Sequence, residues 1–486
     1  MDPKFSKRRI LVAGASGYVG GRLVPRLIEK GYPVRCLART PEKLAARNWE
    51  GVEVVQGDVF DPASLAAALE GMDIAYYLIH SMSGKGDFEA MDMQAAGNFG
   101  TAAAEAGIKR IIYLGGLAKD SDELSAHLRS RQEVGRILAE SDVAVTELRA
   151  SIIIGSGSAS FEIIRDLVHK LPVMITPRWV RSKCEPISIR NVIDYLIGCL
   201  EEPRTARQVL EIGGGEILTY ADMMRQVAEV MGKSLRILSV PVLTPRLSAY
   251  WLNIVTSVPM SIAYPLIEGL RNDSVSGDRR IREWIPLDLL PFREAVRRAL
   301  TVEKEGEIES RWTEASGDAN REYEAVGDRK VLRDLREIVT DASPEAVFRI
   351  IQRIGGETGW YYADWTWKLR GVADRLIGGV GMRRGRRHPR DLRLGDAVDF
   401  WRVDKFIPSR LLRLKAEMKL PGLALLEFQV YRNEQDKTVY RQEAIFYPIN
   451  LWGTLYWYGM LPAHFFIFRN IADRIVRHAE IAAANQ

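Results

Sequence analysis

The chain has 486 residues, too many for one ordinary hydrophobic core, so two or three domains are expected. Apolar residues make up 47% and charged residues 27%, an ordinary globular balance, and a net charge of +5 over this length does not point to a nucleic-acid binder. Three cysteines, Cys36, Cys184 and Cys199, have no motif spacing, which argues against a disulfide scaffold or a metal site and for a reducing, cytoplasmic compartment.

The N-terminus, "MDPKFSKRRILVAGASG", runs straight into a strand with no long apolar core before a cleavage site, so no signal peptide is expected. From residue 8 to 150, short apolar runs alternate with helix-like runs. "RRILVAGA", "PVRCLAR", "VEVVQGD", "DIAYYLIH", "RIIYLGG" and "VAVTELRAS" read as strands. "GGRLVPRLIEKG" reads as a helix, and Asp61-Pro62 opens another as N-cap and first-turn proline. Strands that are apolar throughout and alternate with helices predict an α/β, doubly wound parallel sheet covered on both faces.

"GASGYVGG" places Gly14, Gly17 and Gly20 in GxxGxxG spacing between a strand and a helix. Glycines let the backbone approach a pyrophosphate, and the helix N-terminus favours its charge. Ser16, Tyr18 and Val19 lie in the same loop, so the segment predicts dinucleotide binding. About 20 residues on, where an NAD-binding chain carries an acid for the ribose hydroxyl, stands Arg39. Arginine cannot accept from a hydroxyl but pairs with a 2′-phosphate, so NADP(H) is expected over NAD(H). Asp58 and Val59 follow the third strand, where an adenine would lie, and Asp58 reads either as a hydrogen-bond partner for it or as a loop cap. His80 ends the fourth strand on the nicotinamide side, facing cofactor or substrate, or merely polar at a strand end.

Residues 151–300 read as a substrate region appended to this domain, and Gly213-Gly214-Gly215 there reads as a structural turn because it lacks the strand–helix frame of a phosphate loop. Residues 301–328, acidic and poor in apolar side chains, read as a linker. The pattern then changes. "SPEAVFRIIQRIGG" predicts a helix capped by Ser343, with Val347, Ile350, Ile351 and Ile354 on one stripe. In "RLLRLKAEMKL" Leu412, Leu414, Ala416, Met418 and Leu420 alternate with charged residues, and a hairpin and a C-terminal helix follow, so residues 329–486 predict an α+β domain with an antiparallel sheet. Residues 445–468 contain no Lys, Arg, Asp or Glu, yet Pro448, Gly453, Gly459 and Pro462 interrupt them; a buried strand and helix or a membrane-touching surface is expected there rather than a span. Arg383, Arg384, Arg386, Arg387 and Arg390 cluster in a glycine-containing stretch that reads as a solvated loop or an anionic head-group site.

The segments "LVAGASGYVGGRLVPRLIEKGYPVRCLAR", "GDVFDPASL", "RIIYLGGLA" and "PISIRNVIDYLIGCLEEP" resemble the atypical, NmrA-like branch of the short-chain dehydrogenase/reductase superfamily over about residues 8–300. The resemblance implies hydride transfer to or from a carbon, with a Ser and a Tyr on the substrate oxygen and a Lys beside the Tyr. This sequence departs from that pattern: the Ser place falls at Gly115 and Gly116, the Tyr place reads His127 and the Lys place Arg131. A histidine can serve as general acid near neutral pH, and an arginine one helical turn on would lower its pKa. Residues 329–480 resemble the START-like (SRPBCC, helix-grip) ligand-binding fold, whose aromatics line either a cavity or a plain core. Two readings follow: an NADP(H)-dependent oxidoreductase for a lipophilic carbonyl, enone or quinone-like compound, or a non-catalytic NADP(H)-responsive binder of a lipophilic ligand. Both place the chain in the cytoplasm, with peripheral membrane contact as an extension and no nucleic-acid partner.

Overall fold

The structure is a computed structural model that describes residues 8–80, 88–118, 124–240, 255–256, 258, 260–269, 272–305, 308–315, 331–383 and 386–484. The chain divides into two compact units, Met1–Ala315 and Ser316–Gln486.

The first unit is built on seven parallel strands. They are β1 (Ile10–Ala13), β2 (Val34–Ala38), β3 (Glu53–Gln56), β4 (Ile74–Tyr77), β5 (Arg110–Gly116), β6 (Ala144–Ala150) and β7 (Gln208–Ile212), in the spatial order β7-β6-β5-β4-β1-β2-β3. The order reverses between β1 and β4, which pair in register from Ile10↔Ile74 to Ala13↔Tyr77. In an open α/β sheet, ligands bind beyond the carboxyl ends of the strands at such a switch point. Strand β1 is wholly buried, and apolar side chains fill both faces of the sheet, which is why the strands read as continuous apolar runs. Helices α1 (Gly20–Glu29), α2 (Pro62–Leu69), α3 (Phe88–Glu105), α4 (Ala126–Ala139) and α5 (Ile189–Glu201) belong to the crossovers.

The structure differs from the sequence reading at two places here. Residues 208–212, expected in an appended region, form β7 and complete the parallel sheet through pairing with β6. Residues 301–305 and 308–315, expected as part of a linker, are ordered: 301–305 end helix α6 (Phe292–Glu305), and Ile308, Ser310, Trp312 and Thr313 are buried. The polar composition misleads because its polar groups find partners: Trp312 Nε1 donates to Glu162 Oε2 at 2.7 Å. Residues 316–330 of the expected linker lie outside the described residues.

The second unit is a six-stranded antiparallel sheet of β8 (Leu332–Thr340), β9 (Ala397–Val398), β10 (Trp401–Ile407), β11 (Leu411–Ala416), β12 (Gly422–Arg432) and β13 (Thr438–Pro448), ordered β8-β13-β12-β11-β10-β9. Helices α7 (Pro344–Ile351) and α8 (Asp364–Leu376) follow β8. The 34-residue helix α9 (Leu451–Ala484) ends the unit. Ser343 caps α7 by accepting from the N–H of Ala346. Leu412 and Leu414 enter the core while Arg413 pairs with Glu427 on the other face. Helix α9 includes Gly453, Gly459 and Pro462. Pro462 is exposed, so the backbone bond it cannot make is lost on the solvent side. At Gly453 a Cβ would stand 2.3 Å from the carbonyl oxygen of Pro421, so glycine lets the helix start against the sheet.

Candidate functional site

The glycine loop between β1 and α1 has the geometry of a phosphate cradle. Gly14 has φ +94°, and a Cβ there would lie 2.6 Å from the carbonyl oxygen of Leu78. At Gly20 a Cβ would lie 2.3 Å from the carbonyl oxygen of Gly14. The Gly17 N–H donates to that same oxygen at 3.0 Å, closing the loop. Val19 occupies the N-cap of α1 and brings no side-chain cap, which leaves the helix mouth to an anion. Ser16 presents its carbonyl to Arg47 Nη2 at 3.1 Å.

The side chain of Tyr18 is engaged within the protein. Its ring lies under the guanidinium of Arg22, at 4.4 Å, and its hydroxyl is buried with no hydrogen-bond partner among the described residues. Burial, its largest cause, holds the phenol far above its usual range. Arg22 also donates to Ser156 O at 2.8 Å and Ser310 O at 2.9 Å. Tyr18 and Arg22 therefore tie the loop to segments far along the chain.

Arg39 is exposed just beyond β2, where the second ribose of a dinucleotide would pass. Asp58 accepts from the N–H of Phe60 at 3.1 Å, the loop-cap arrangement. Val59 is buried, and its carbonyl accepts from Asn98 Nδ2 at 3.0 Å, which anchors this loop to α3. Gly213–Gly215 is a structural turn: the Glu185 carboxylate accepts from Gly215 N and Ser276 N, and a Cβ on Gly214 would stand 2.1 Å from Pro186 O.

Beyond the carboxyl end of β4, His80 meets His127. His80 Nε2 lies 3.2 Å from His127 Nδ1, and His80 Nδ1 lies 3.2 Å from Asp92 Oδ2. Ser130 Oγ donates to the same carboxylate oxygen at 3.1 Å. Ser125 caps α4 by accepting from Leu128 N, which sets the helix that carries His127 and Ser130. Burial, aided by the nearby charge of Arg131, lowers the pKa of His80. Burial, then His80 and Arg131, hold His127 well below its ordinary value. Both rings are therefore neutral at pH 7, and one tautomer assignment satisfies the chain. Asp92 accepts from His80 Nδ1–H, His80 Nε2 accepts from His127 Nδ1–H, and His127 Nε2 carries a bare lone pair.

Arg131 is engaged by the sheet beside it. Its Nη2 donates to Leu114 O at 2.5 Å, its guanidinium lies 5.5 Å from the Tyr113 ring centre, and its carbonyl accepts from the Tyr113 hydroxyl. It braces α4 on β5 and acts on His127 through charge. Gly116 matters here too, since a Cβ would lie 3.0 Å from Leu128. Asp92 and Ser130 escaped the sequence reading. A signal existed: Asp92 shares its helical face with buried Ala95, Ala96 and Phe99, an odd place for a carboxylate without a task. Arg47 was also missed; it pairs with Glu314 at 2.5 Å beside the glycine loop. The arginine cluster is structural where described: Arg387 pairs with Asp396 at 3.0 Å, and Arg386, which burial pushes down to about 10, donates to Ile354 O. Neither of the two belongs to a solvated loop; Arg390 is exposed, the side chain of Arg383 is not described, and Arg384 lies outside the described residues.

Comparison with known proteins agrees with the geometry. Residues 14–154 match a family model described as NAD(P)H-binding, and residues 328–471 match one described as a protein of unknown function (DUF2867). The (4-alkanoyl-5-oxo-2,5-dihydrofuran-3-yl)methyl phosphate reductase of Streptomyces griseus is 30% identical over 234 residues, 47% of this chain and 75% of that protein. The chain belongs to the NAD(P)H-binding, Rossmann-type dehydrogenase/reductase family. The divinyl chlorophyllide a 8-vinyl-reductase of Arabidopsis thaliana is 25% identical over 252 residues, 48% of this chain and 60% of that one. Among solved structures, the triphenylmethane reductase of Citrobacter sp., complexed with NADP(H), is similar in fold, with a TM-score of 0.50 and 21% identity over 60% of this chain and 99% of its own. The glycine loop fits the family's dinucleotide, since Gly14, Gly17 and Gly20 let the backbone fold tightly on itself at the N-terminus of α1, which carries no side-chain cap. No helix among the described residues is long and apolar enough to cross a membrane.

Proposed function

We propose that this NAD(P)H-binding oxidoreductase uses NADP(H) to reduce a lipophilic carbonyl, enone or quinone-like compound. The observation that carries the reading is the Asp92–His80–His127 chain at the sheet's switch point. Bound in the glycine cradle, the dinucleotide supplies the hydride. Gly14, Gly17 and Gly20 admit the pyrophosphate, and exposed Arg39 meets the 2′-phosphate. The two relatives named above are reductases by name, which supports reduction as the chemical class.

The chain's own part is the proton. A neutral His127 with a bare Nε2 is a base and acts as an acid only once protonated. Protonated, it delivers the proton from Nε2 to the reduced oxygen or carbon while its Nδ1–H stays on His80. His80 in turn stays on Asp92, which steadies the imidazolium as a carboxylate steadies a catalytic histidine. Reduction therefore quickens as pH falls below neutral, because burial and Arg131 make the acid form scarce at pH 7.

We read the second unit as a helix-grip fold that binds the lipophilic molecule. Supporting this are the order of strand, two helices, five antiparallel strands and long helix, and an aromatic interior of Trp360, Trp367, Phe400, Trp401 and Phe468. The indole N–H groups of Trp367 and Trp401 are buried without a partner among the described residues, as suits a site that awaits a polar atom. A lipophilic substrate partitions into bilayers, so the reading brings peripheral membrane contact with it. The alternative, a non-catalytic NADP(H)-responsive binder, draws on Arg131, whose guanidinium is engaged by Leu114 and Tyr113. NADPH oxidation with a panel of quinones, enones and aldehydes separates the two. Turnover that His127→Phe abolishes, with NADPH affinity unchanged, is the expected result; tight NADPH binding with no turnover on any substrate would establish the alternative. Arg39→Ala should weaken NADPH more than NADH, and equal losses would refute the 2′-phosphate role.

A further inference from the structure

The second unit exposes an apolar face made by two neighbouring helices. On α9, Leu451, Trp452, Leu455, Tyr458 and Phe466 recur at helical spacing and are each exposed by half or more. On α8, Trp365, Leu369, Val372 and Leu376 also recur at helical spacing and are exposed by about half or more, Val372 the least at 48%. The helices touch: Arg370 donates to the Tyr456 hydroxyl at 3.3 Å, and Trp367 stacks on Phe468 at 6.2 Å. Their near ends meet at one loop, where Lys419 Nζ donates to Ile377 O at 2.7 Å and Gly453 approaches Pro421 O. Exposed apolar patches on soluble monomers are of order 300–600 Å². Nine large side chains at on the order of 100 Å² each exceed that.

The charges around this face say what covers it. Residues 445–468 carry none, and in α9 the first charged side chain is Arg469. Lys368 is exposed on α8 beside Trp365 and Leu369, with Lys419 at the helix's end. Of the two acids of α8, Asp374 is fully buried and accepts from Gly381 N and Lys419 N, while Asp364, exposed at the helix start, accepts from Trp360 N at 2.7 Å. The result is an apolar strip rich in Trp, Tyr and Phe, about 22 Å long on α9, edged by the exposed Lys368 and Lys419, with Asp364 the one exposed carboxylate of α8. That is the chemistry of a helix pair lying in the head-group region of an anionic bilayer, where aromatic rings anchor and cations meet phosphate.

We propose that the α8–α9 face of the second unit docks on the surface of an anionic lipid bilayer without spanning it. The proposal stands independently of the oxidoreductase reading. The test is flotation of the full chain with vesicles of phosphatidylcholine alone and of phosphatidylcholine doped with phosphatidylglycerol. Binding to the doped vesicles, falling with salt and weaker by about tenfold or more on the neutral ones, is expected from a few exposed cations. Leu369→Asp with Trp452→Asp should lower vesicle binding about 100-fold, each replacement removing one inserted apolar anchor. The control Ile217→Asp, at an exposed apolar residue of the first unit, should change nothing. NADPH affinity of the double variant reports that the chain is intact. Equal flotation of wild type and double variant would overturn the proposal. So would no flotation with either vesicle, or a dimer of the wild type that the double variant turns into monomers while vesicles remain unbound.

Discussion

Replacing Gly20 by alanine tests the cofactor cradle at its tightest point. The added carbon would stand 2.3 Å from Gly14 O and 2.8 Å from Ala15 Cα. Ordinary contacts begin near 3.5 Å, so the start of α1 and the loop must part by about 1 Å. Two effects oppose each other. Alanine is the better helix former by about 1 kcal/mol. Overpacking costs about 1–3 kcal/mol and is met here by backbone atoms that cannot rotate away. Crowding wins for stability, and binding suffers more. Charge-assisted N–H to phosphate bonds run near 2.8 Å, so a shift of about 1 Å breaks them. Two such bonds at about 1.5–3 kcal/mol each raise the Kd for NADPH by about 100-fold or more. Calorimetric titration with NADPH, alongside thermal unfolding, measures both quantities. Gly97→Ala is the control: on α3 its new carbon would meet only the Ile137 methyl at 3.9 Å, so it should keep affinity and hold or raise the melting temperature. If Gly20→Ala bound NADPH within about threefold of wild type, the reasoning from contact geometry to phosphate cradle would fail.

Other outcomes follow from the same structure. Arg131→Met removes a charge that disfavours the His127 imidazolium, so the pH below which reduction quickens should move upward; a profile that stays put would show that burial alone sets it. His80→Asn should lower kcat more than KM, because it loosens the hydrogen bond on His127 and leaves the pocket wall; an unchanged kcat would remove His80 from proton handling. Burial, with help from Arg336, pushes His464 down to about 4 from 6.5. The folded value lies below the unfolded one, so its contribution is complete above pH 6.5 and is lost as pH falls toward 4, about 3 kcal/mol in all. Urea midpoints of His464→Gln should therefore fall less over that window than those of wild type, and parallel curves would contradict the assignment. Arg47→Ala removes the ion pair to Glu314 and the donor to the Ser16 carbonyl, so NADPH affinity should fall by several-fold; unaltered titrations would separate the pair from the cofactor loop.

The cofactor loop was readable in the sequence because its constraint is local. Gly14 needs a positive φ and Gly20 sits against the Gly14 carbonyl six residues back, so the spacing itself encodes the contact. The same holds for β1 and β4, whose unbroken apolar runs record burial on both faces, and for Ser343, a cap written three residues ahead of the N–H it accepts from. His127 and His80 were found as separate candidates at the ends of their elements. That they bond to each other, and to Asp92, was decided by tertiary structure. The three sit after β4, on α3 and on α4, and only the packing of those helices beside the switch point brings them together. Side-chain direction was likewise invisible: Tyr18 lies in the cofactor loop by sequence yet turns into a buried hydroxyl environment, and Arg386 and Arg387 read as a charged loop yet are consumed by Ile354 and Asp396. Composition misjudged residues 301–305 and 308–315 for one reason. A polar segment is ordered when distant partners satisfy it, and those partners are chosen by the fold and not by the neighbouring residues.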